Sequence, residues 1–349
     1  MKNRLLCLLL LPSLISAQTS ETNERLREGL KRFPEADADK NGILTMEEAM
    51  TFLQKRKKMA EPQPATKSGG LKPDHADVAY GSHERCKLDL YLTKKASSAA
   101  PVVLMIHGGG FRNGDKSQWA RNKTTQDLLD QGISCAALNY PFLDSMPIQD
   151  ILRQCARAVQ YLRFRSAEWN LDKTRFASMG GSAGAGTSLW LATRDDLADP
   201  KASDPVLRES TRLVCAVCNS TQATYDVSRW ESFLGRPGPD VRTSEAEAAL
   251  FYHLPSIESF TTAAGKAILK ECDMLSWISM DDPPLFVSNP QVVEAPTNRG
   301  EWLHCIHHAR EVYKECTLDG VECIVAQDHE SPNASPVDFL VAKLRSKTL

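Results

Sequence analysis

The segment GGSAG at residues 180–184 has the residue types and spacing of a nucleophilic serine on a tight turn. Residues 175–179 predict a strand before it, and residues 186–193 predict a helix after it. A serine between these elements takes a strained backbone conformation, and the small residues beside it let neighbouring backbones approach. Ser182 is therefore the predicted nucleophile of an acyl-transfer reaction. The alternative is a glycine-rich helix start that only packs against a strand.

A second glycine-rich segment, HGGGF at residues 107–111, follows the predicted strand 101–106. Consecutive glycines leave main-chain N–H groups free to point into a cleft. Together with the N–H of Ala183 they predict an oxyanion hole, which stabilises the negative charge of a tetrahedral intermediate. His107 stands at the strand end beside this loop, so we interpret it as structural rather than as a base.

These motifs follow one another in an order that resembles the α/β-hydrolases. The resemblance is greatest to the hormone-sensitive-lipase-like carboxylesterases and the bacterial feruloyl and acetyl-xylan esterase-like enzymes. It covers roughly residues 76–345 and is stronger in the first two-thirds of that range. It implies ester hydrolysis through an acyl-enzyme, with nucleophile, acid and histidine in that chain order. It also implies Gly109, Gly110 and Ala183 as oxyanion donors. The segments that carry it are YL at 91–92, HGGG at 107–110, NY at 139–140, ARAVQYLR at 156–163 and GGSAG at 180–184.

The general base is assigned by position. In this fold the catalytic histidine lies in the loop after the last strand. The last strand-like run is 322–326, and His329 follows it, so His329 is the predicted base. His304, His307 and His308 have a helical spacing that would also suit a zinc site, but no carboxylate of matching position completes one. We interpret these three as lining a cleft rim or a helix start.

The acid of the predicted triad departs from the family pattern, because the resemblance implies an Asp just after the strand 285–287 and none is present there. Glutamate can orient a histidine as aspartate does, so Glu294 is the first candidate and Glu301 the second. Asp281 and Asp282 precede the strand, on the wrong side of it. A site without any acid is the remaining alternative.

The segment DADKNGILTMEE at residues 37–48 matches the EF-hand calcium loop at each diagnostic position. Gly42 permits the sharp turn, and amphipathic helical patterns flank the loop. The alternative is an acidic helix-capping turn that binds nothing. Only one such loop is present, whereas EF-hands usually pair, which suggests weak affinity. The predicted Ca²⁺ ligands are Asp37, Asp39, Asn41, the main-chain carbonyl of Ile43, and Glu48.

Alternating short apolar runs and helical patterns from about residue 76 predict a mostly parallel sheet flanked by helices, the α/β-hydrolase fold. Residues 18–60 predict a small helical EF-hand segment, and the proline- and glycine-rich residues 61–75 a mobile linker. The hydrolase domain is then 76–349. Residues 224–280 exceed the length of one crossover and predict a cap over the active site; the alternative is a decoration remote from it.

The first 17 residues have the order of a secretory signal peptide: Lys2 and Arg4, an apolar run over 5–11, then Ser16 and Ala17. They predict a secreted or periplasmic protein; an uncleaved anchor or a buried helix is the alternative. Of ten cysteines, nine follow this segment, so at least one thiol is unpaired, and the pairing of the rest stays open. Cys215 and Cys218 predict buried small side chains on opposite faces of one strand.

The composition is that of a globular chain, with 42% hydrophobic and 25% charged residues among 349 and a formal net charge of −2. No strong field attracts nucleic acid or an anionic membrane, and no later segment predicts a membrane span. The sequence thus favours a secreted serine carboxylesterase that acts on a small-molecule or polysaccharide-linked ester and needs no cofactor for hydrolysis. The alternatives are a serine peptidase of the same fold, or a catalytically weak hydrolase fold that binds a partner in a calcium-dependent way.

Overall fold

The computed structural model describes residues 19–52, 70–326 and 335–346. Contacts between Cα atoms divide the chain after Gly69 into two compact units. The predicted signal peptide, most of the predicted linker and the predicted base His329 lie outside the described residues. No helix in the described ranges combines the length and hydrophobicity needed to cross a membrane.

The first unit is a helix–loop–helix. Helix α1 (Glu24–Arg32) is followed by a short 3-10 helix (Pro34–Ala36), and a second helix, α2, begins at residue 46 and is described up to residue 52. Leu26, Ala36 and Leu44 are buried and form the centre of a small apolar core. The two amphipathic patterns read from the sequence therefore pack their apolar faces on each other.

The second unit is built on an eight-stranded sheet, and its strands β3 to β8 run parallel to one another. Strands β1 and β2 pair antiparallel at one edge, and β2 is antiparallel to β4. The strand order is β1-β2-β4-β3-β5-β6-β7-β8. The strands are β1 (His75–Ala79), β2 (Lys87–Tyr91), β3 (Ala100–Ile106), β4 (Ser134–Leu138), β5 (Leu171–Gly181), β6 (Cys215–Asn219), β7 (Leu285–Ser288) and β8 (Cys323–Val325).

Helices cover both faces of this sheet, as parallel strands require. The α-helices are α3 (Lys123–Asp130), α4 (Ile148–Phe164), α5 (Ala183–Thr193), α6 (Trp230–Leu234), α7 (Glu245–Phe251), α8 (Ala263–Cys272), α9 (Arg299–His304), α10 (Ile306–Leu318) and α11 (Pro336–Arg345). Short 3-10 helices occupy Lys116–Arg121, Pro205–Arg208, Val227–Arg229, Ile257–Thr261 and Leu275–Trp277. The predicted mostly parallel α/β architecture is confirmed.

The sheet separates two apolar cores, and its strands have side chains in both. On β6, Cys215 belongs to one core and Cys218 to the other, and both are fully buried. This is the arrangement that the period-two geometry of a strand imposes on residues three apart. A metal or redox pair formed by these two thiols is therefore excluded by the strand itself.

Candidate active site

Ser182 stands on a strained turn between β5 and α5. Its φ of 53° and ψ of −119° lie in a region that L-residues rarely adopt. A Cβ on Gly180 would come within 2.3 Å of the main chain of Gly184, and one on Gly184 within 2.1 Å of the Ile106 carbonyl oxygen. The glycines of the predicted motif are thus needed for close backbone approach, and the turn directs Ser182 out of the sheet at the end of its strand.

The side chain that meets this serine is His304. Its Nε2 lies 2.8 Å from Ser182 Oγ, within hydrogen-bonding distance. His304 is the last residue of α9, and α10 begins two residues later, so the ring stands at a corner between two helices. Burial lowers the pKa of His304, while a hydrogen bond with the Gly300 main chain opposes that shift. Since Nε2 faces the serine, Nδ1 is the nitrogen left for Gly300.

Asn289 fixes the backbone of this corner. It follows β7 directly and is completely buried. Its Nδ2 donates to the carbonyls of Thr221, His304 and Cys305 at 2.9, 3.1 and 3.2 Å, and its Oδ1 accepts from Thr221 N at 3.1 Å. An amide therefore occupies the place after β7 where the resemblance implies an acid, and it holds the main chain of the histidine instead of its ring.

The predicted acids lie elsewhere. Glu294 has an exposed side chain, and its main-chain carbonyl is 3.0 Å from Nε2 of His307. Glu301 accepts hydrogen bonds from the main chain and hydroxyl of Thr297 at 2.7 and 2.8 Å, as part of the start of α9. Asp281 and Asp282 pair with Arg212. Within the described residues, no carboxylate hydrogen-bonds the His304 ring.

The three clustered histidines have three different environments, so they do not form a zinc site. Nε2 of His307 contacts the main-chain carbonyl of Glu294. His308 is completely buried, and burial lowers its pKa to about 4. Its ring nitrogens contact Ala223 N at 3.1 Å and the Trp302 carbonyl at 3.0 Å. Sequence reasoning placed His304 at a cleft rim or a helix start and missed its contact with Ser182. The predicted base His329 lies in a segment that the structure does not describe, so its assignment stays a prediction.

The loop after β3 lies against the serine turn. Gly109, Gly110 and Phe111 have φ values of 113°, 60° and 58°, and a Cβ on Gly108 would approach the Gly181 carbonyl oxygen to 2.7 Å. In the described part of the chain, the N–H groups of Gly109, Gly110 and Ala183 meet no acceptor. Gly110 and Ala183 line the cavity beside Ser182. They are the better placed of the three predicted oxyanion donors, since Gly109 forms the turn itself.

A buried polar network supports that loop from below. The ring of His107 stacks on Tyr140 at 4.2 Å between centroids. Burial lowers the pKa of His107 to about 4. Asn139 accepts from Lys116 N and donates to Asp115, both at 2.7 Å. Lys116 in turn pairs with buried Asp89 at 2.7 Å. His107 is structural, as the sequence indicated.

Ser182 opens into a cavity of about 230 Å³. The predicted cap segment 224–280 supplies much of its wall, including Tyr225, Trp230 and Phe251, together with Phe111 and Leu143 from the loops after β3 and β4. Aromatic and aliphatic side chains thus surround the nucleophile, and this lining suits a small apolar group.

In the first unit, the loop between α1 and α2 brings carboxylates together. Oxygens of Asp37, Asp39 and Glu48 lie within 4.8 Å of one another. Gly42 has a φ of 83° at the sharp turn. Hydrogen bonds from the Thr45 main chain and hydroxyl lower the pKa of Glu48, which favours its charged form. Three anionic oxygen donors around one point fit a hard divalent cation such as Ca²⁺.

The predicted ligand Asn41 accepts from Ile43 N at 2.8 Å through its Oδ1. The far side of the loop is covered by the start of the described chain: Thr19 forms an antiparallel bridge with Thr45, and Ser20 N donates to the Leu44 carbonyl at 2.8 Å. Residues 19–20 therefore pair with the loop on the side where a second EF-hand loop usually packs.

Comparison with known proteins identifies the family to which this chain is similar. Residues 88–291, more than half of the chain, match the BD-FAE family. A probable isoprenylcysteine alpha-carbonyl methylesterase of Arabidopsis thaliana is 27% identical over 39% of this chain and 28% of its own length. A probable carboxylic ester hydrolase of Mycobacterium tuberculosis is 25% identical over 64% of this chain and 50% of its own length. The chain thus spans half or less of these curated relatives.

Solved structures share the fold. A truncated carbohydrate esterase from gut microbiota superposes with a TM-score of 0.61 at 14% identity, covering 80% of this chain and all of its own. Esterase 2 of Thermogutta terrifontis, phosphonylated by sarin, gives a TM-score of 0.55 at 16% identity, over 76% of this chain and 85% of its own.

Proposed function

The chain belongs to the BD-FAE family, and from this premise we propose that it hydrolyses carboxylic esters through an acyl-enzyme on Ser182. The observation that carries the proposal is the 2.8 Å contact between Ser182 Oγ and His304 Nε2, on a turn whose neighbouring N–H groups face a cavity. The names of the curated relatives, a methylesterase and a carboxylic ester hydrolase, support the same reaction.

In the proposed mechanism, neutral His304 takes the proton from Ser182 Oγ as the oxygen attacks the ester carbonyl. The N–H groups of Gly110 and Ala183 donate to the oxyanion of the tetrahedral intermediate, at the N-terminus of α5. His304 then gives its proton to the leaving alcohol. Water attacks the acyl-enzyme in the same way, and the protonated histidine returns the proton to Ser182.

The Gly300 main chain takes the place of the orienting acid in this mechanism. A carbonyl keeps the histidine in the tautomer that leaves Nε2 free, but it does not stabilise the imidazolium as a carboxylate would. Loss of the acid can lower turnover by about 10⁴-fold while leaving residual catalysis. We therefore expect slow turnover relative to enzymes with a complete triad, unless a group outside the described residues contributes.

The experiment is a panel of short-chain nitrophenyl and acetyl esters, run on native protein and on Ser182→Ala. Native protein should hydrolyse at least one ester and be labelled by a fluorophosphonate at Ser182. The alanine variant should lose both. Ser145→Ala, at an exposed serine outside the cavity lining, is the matched control and should behave as native. Equal hydrolysis by native and Ser182→Ala would refute the nucleophile. Failure of both label and panel would favour the binding-protein alternative.

The proposed substrate is a small-molecule or polysaccharide-linked ester with a short acyl group, in keeping with a cavity of about 230 Å³. We also propose, from its sequence alone, that the protein is secreted or periplasmic. The signal segment lies outside the described residues, and N-terminal sequencing of exported protein checks the cut after Ala17.

As a second function we propose Ca²⁺ binding by the loop 37–48, an EF-hand, because three carboxylates converge within 4.8 Å. Glu48→Gln removes one charge and half of a bidentate ligand, so affinity should fall about tenfold or more. Calorimetry at millimolar Ca²⁺ measures this, with Glu28→Gln on the exposed face of α1 as the matched control. Equal binding by native and Glu48→Gln protein would exclude the site.

A further inference from the structure

The active-site cavity has an unbalanced positive charge. Its lining contains three charged side chains: Arg112, Glu247 and Arg299. Arg299 is neutralised, since it pairs with Glu247 at 2.6 Å and donates to Thr243 Oγ1 at 3.1 Å. The Arg112 guanidinium has no hydrogen-bond or ion-pair partner anywhere in residues 19–52, 70–326 and 335–346. One cation thus remains at the cavity wall without a counter-charge.

Arg112 lies at the exit of the cavity. It is the last residue of the turn 109–112, and its main-chain N–H donates to the Gly109 carbonyl at 3.0 Å. Its side chain lines both the cavity and an adjoining surface groove, and Leu143 is shared by the two. When the ester carbonyl of a substrate lies at Ser182, a substituent that is too large for the cavity extends into the groove beside Arg112.

The other polar side chains of the groove belong to Asp144 and His253. Asp144 is an exposed carboxylate and donates no hydrogen bond. Nε2 of His253 is 2.7 Å from the Leu143 carbonyl. A substrate group in the groove therefore meets Arg112 as the available donor, and the complement of a guanidinium fork is a carboxylate, which accepts two parallel hydrogen bonds.

We propose that Arg112 makes this site selective for esters that carry a carboxylate on the part of the substrate that extends out of the cavity into the groove. This inference rests on the proposed ester hydrolysis and adds a substrate class to it. Arg112 acts in binding and takes no part in proton transfer. The preference is electrostatic and the Arg112 side chain is exposed, so the preference should weaken as salt is raised.

The test uses two pairs of near-isosteric esters that differ by one charge. Monoethyl succinate and ethyl succinamate place the carboxylate or its amide on the acyl side. Acetoxyacetate and acetoxyacetamide place it on the alcohol side. Released ethanol or acetate gives kcat/KM for each, at low and high NaCl. Native protein should prefer the acid of at least one pair by about tenfold, the ratio expected for one charge-assisted contact.

Three variants separate charge from structure. Arg112→Gln should bring the acid-to-amide ratio close to one, mainly through KM for the acid. Arg112→Lys keeps a point charge and should retain part of the ratio. Arg121→Gln, at an exposed arginine outside the cavity lining, should keep the native ratio. Equal kcat/KM for the carboxylate ester and the amide-bearing ester of each pair in native protein would overturn the proposal. So would an equal loss of kcat/KM on both esters of a pair in Arg112→Gln. Hydrolysis of none of the four esters or of the nitrophenyl panel would instead refute the proposed function.

Discussion

The two proposed sites of this chain are assembled in opposite ways. The candidate Ca²⁺ ligands Asp37, Asp39 and Glu48 come from one loop of twelve residues. In the hydrolase unit, Ser182 and His304 are 122 positions apart, and Gly110 comes from a third segment. A site made by one loop needs only that loop to fold, whereas a site made by three segments needs the whole sheet and its corners to be correct.

The comparison also concerns how a charge is stabilised. In the calcium loop, three carboxylates converge and accept hydrogen bonds from nearby main-chain N–H groups. In the active site, none of the carboxylates in the described ranges hydrogen-bonds the His304 ring, and main-chain groups and the Asn289 amide position this residue. The active site is therefore the region in which a single substitution should have the larger effect, and the following predictions proceed from the largest effect to the smallest.

The largest effect should follow replacement of the base. His304→Gln keeps a polar side chain but cannot accept a proton, so kcat should fall by about 10²–10⁴-fold. His329→Gln is the matched variant in the segment assigned from sequence. Steady-state kinetics on the best ester, with circular dichroism to verify folding, separates them. A large loss in His329→Gln with native rates in His304→Gln would reverse the assignment and restore the conventional position of the base.

The next effect concerns Asn289. Asn289→Asp supplies the acid that the resemblance implies after β7, but it removes a donor that serves three buried carbonyls. We expect the free energy of unfolding to fall by about 1–3 kcal/mol and kcat to fall with it, because unsatisfied buried groups are costly. Urea denaturation measures the first. Asn122→Ala, which removes an exposed helix cap, should cost about 1 kcal/mol without lowering kcat. A gain in kcat for Asn289→Asp would mean that the position is a modified triad acid.

A smaller effect is expected in the pH profile. Burial lowers the pKa of His304 below its usual 6.5, and no carboxylate raises it again in the described structure. The base works only when neutral, so activity should be retained above this lowered pKa and be lost as the pH falls through it. The acidic midpoint of kcat/KM should therefore lie below pH 6.5. A midpoint above 7 would indicate a carboxylate near the ring.

The smallest effect should be that of calcium on turnover. The candidate ion site is made within the first unit, and each active-site residue named above belongs to the second. A chelator should change kcat/KM by less than about twofold, and a protein beginning near Lys72 should remain active. Chelation that lowered turnover tenfold in the full chain, but not in the shortened one, would show that the small unit regulates access to Ser182.

Sequence reasoning succeeded where local pattern determines structure. The predicted strands 101–106 and 285–287 lie within β3 and β7, because buried parallel strands are continuously apolar. The serine turn follows from glycines that its backbone geometry requires. Strands β1 and β2 were not assigned individually: β1 is half-exposed, and Lys87 and Asp89 interrupt the apolar residues of β2, so neither is a continuous apolar run.

The histidine proposed as the base could not be identified from the sequence in the same way. The contact of His304 with Ser182 depends on where α9 ends, on the bend into α10 and on the hydrogen bonds of Asn289. These are tertiary features, and positional analogy pointed to the last loop instead. One local signal was present: the strand at 285–287 is followed by asparagine, which indicated that the usual acid–histidine arrangement does not apply.

The packing between the predicted cap and α9 couples the wall of the substrate cavity to the proposed base. Trp302 of α9 contacts Trp230 of the cap at 5.7 Å between ring centroids and donates to Thr243 at 3.1 Å, while Arg299 pairs with Glu247. The helix that ends in His304 is thus anchored on the same segment that shapes the substrate cavity. Caps are natural units for exchange between homologous enzymes, but here an exchanged cap would also displace the base. Substrate range and catalytic competence should therefore change together, in evolution as in the laboratory.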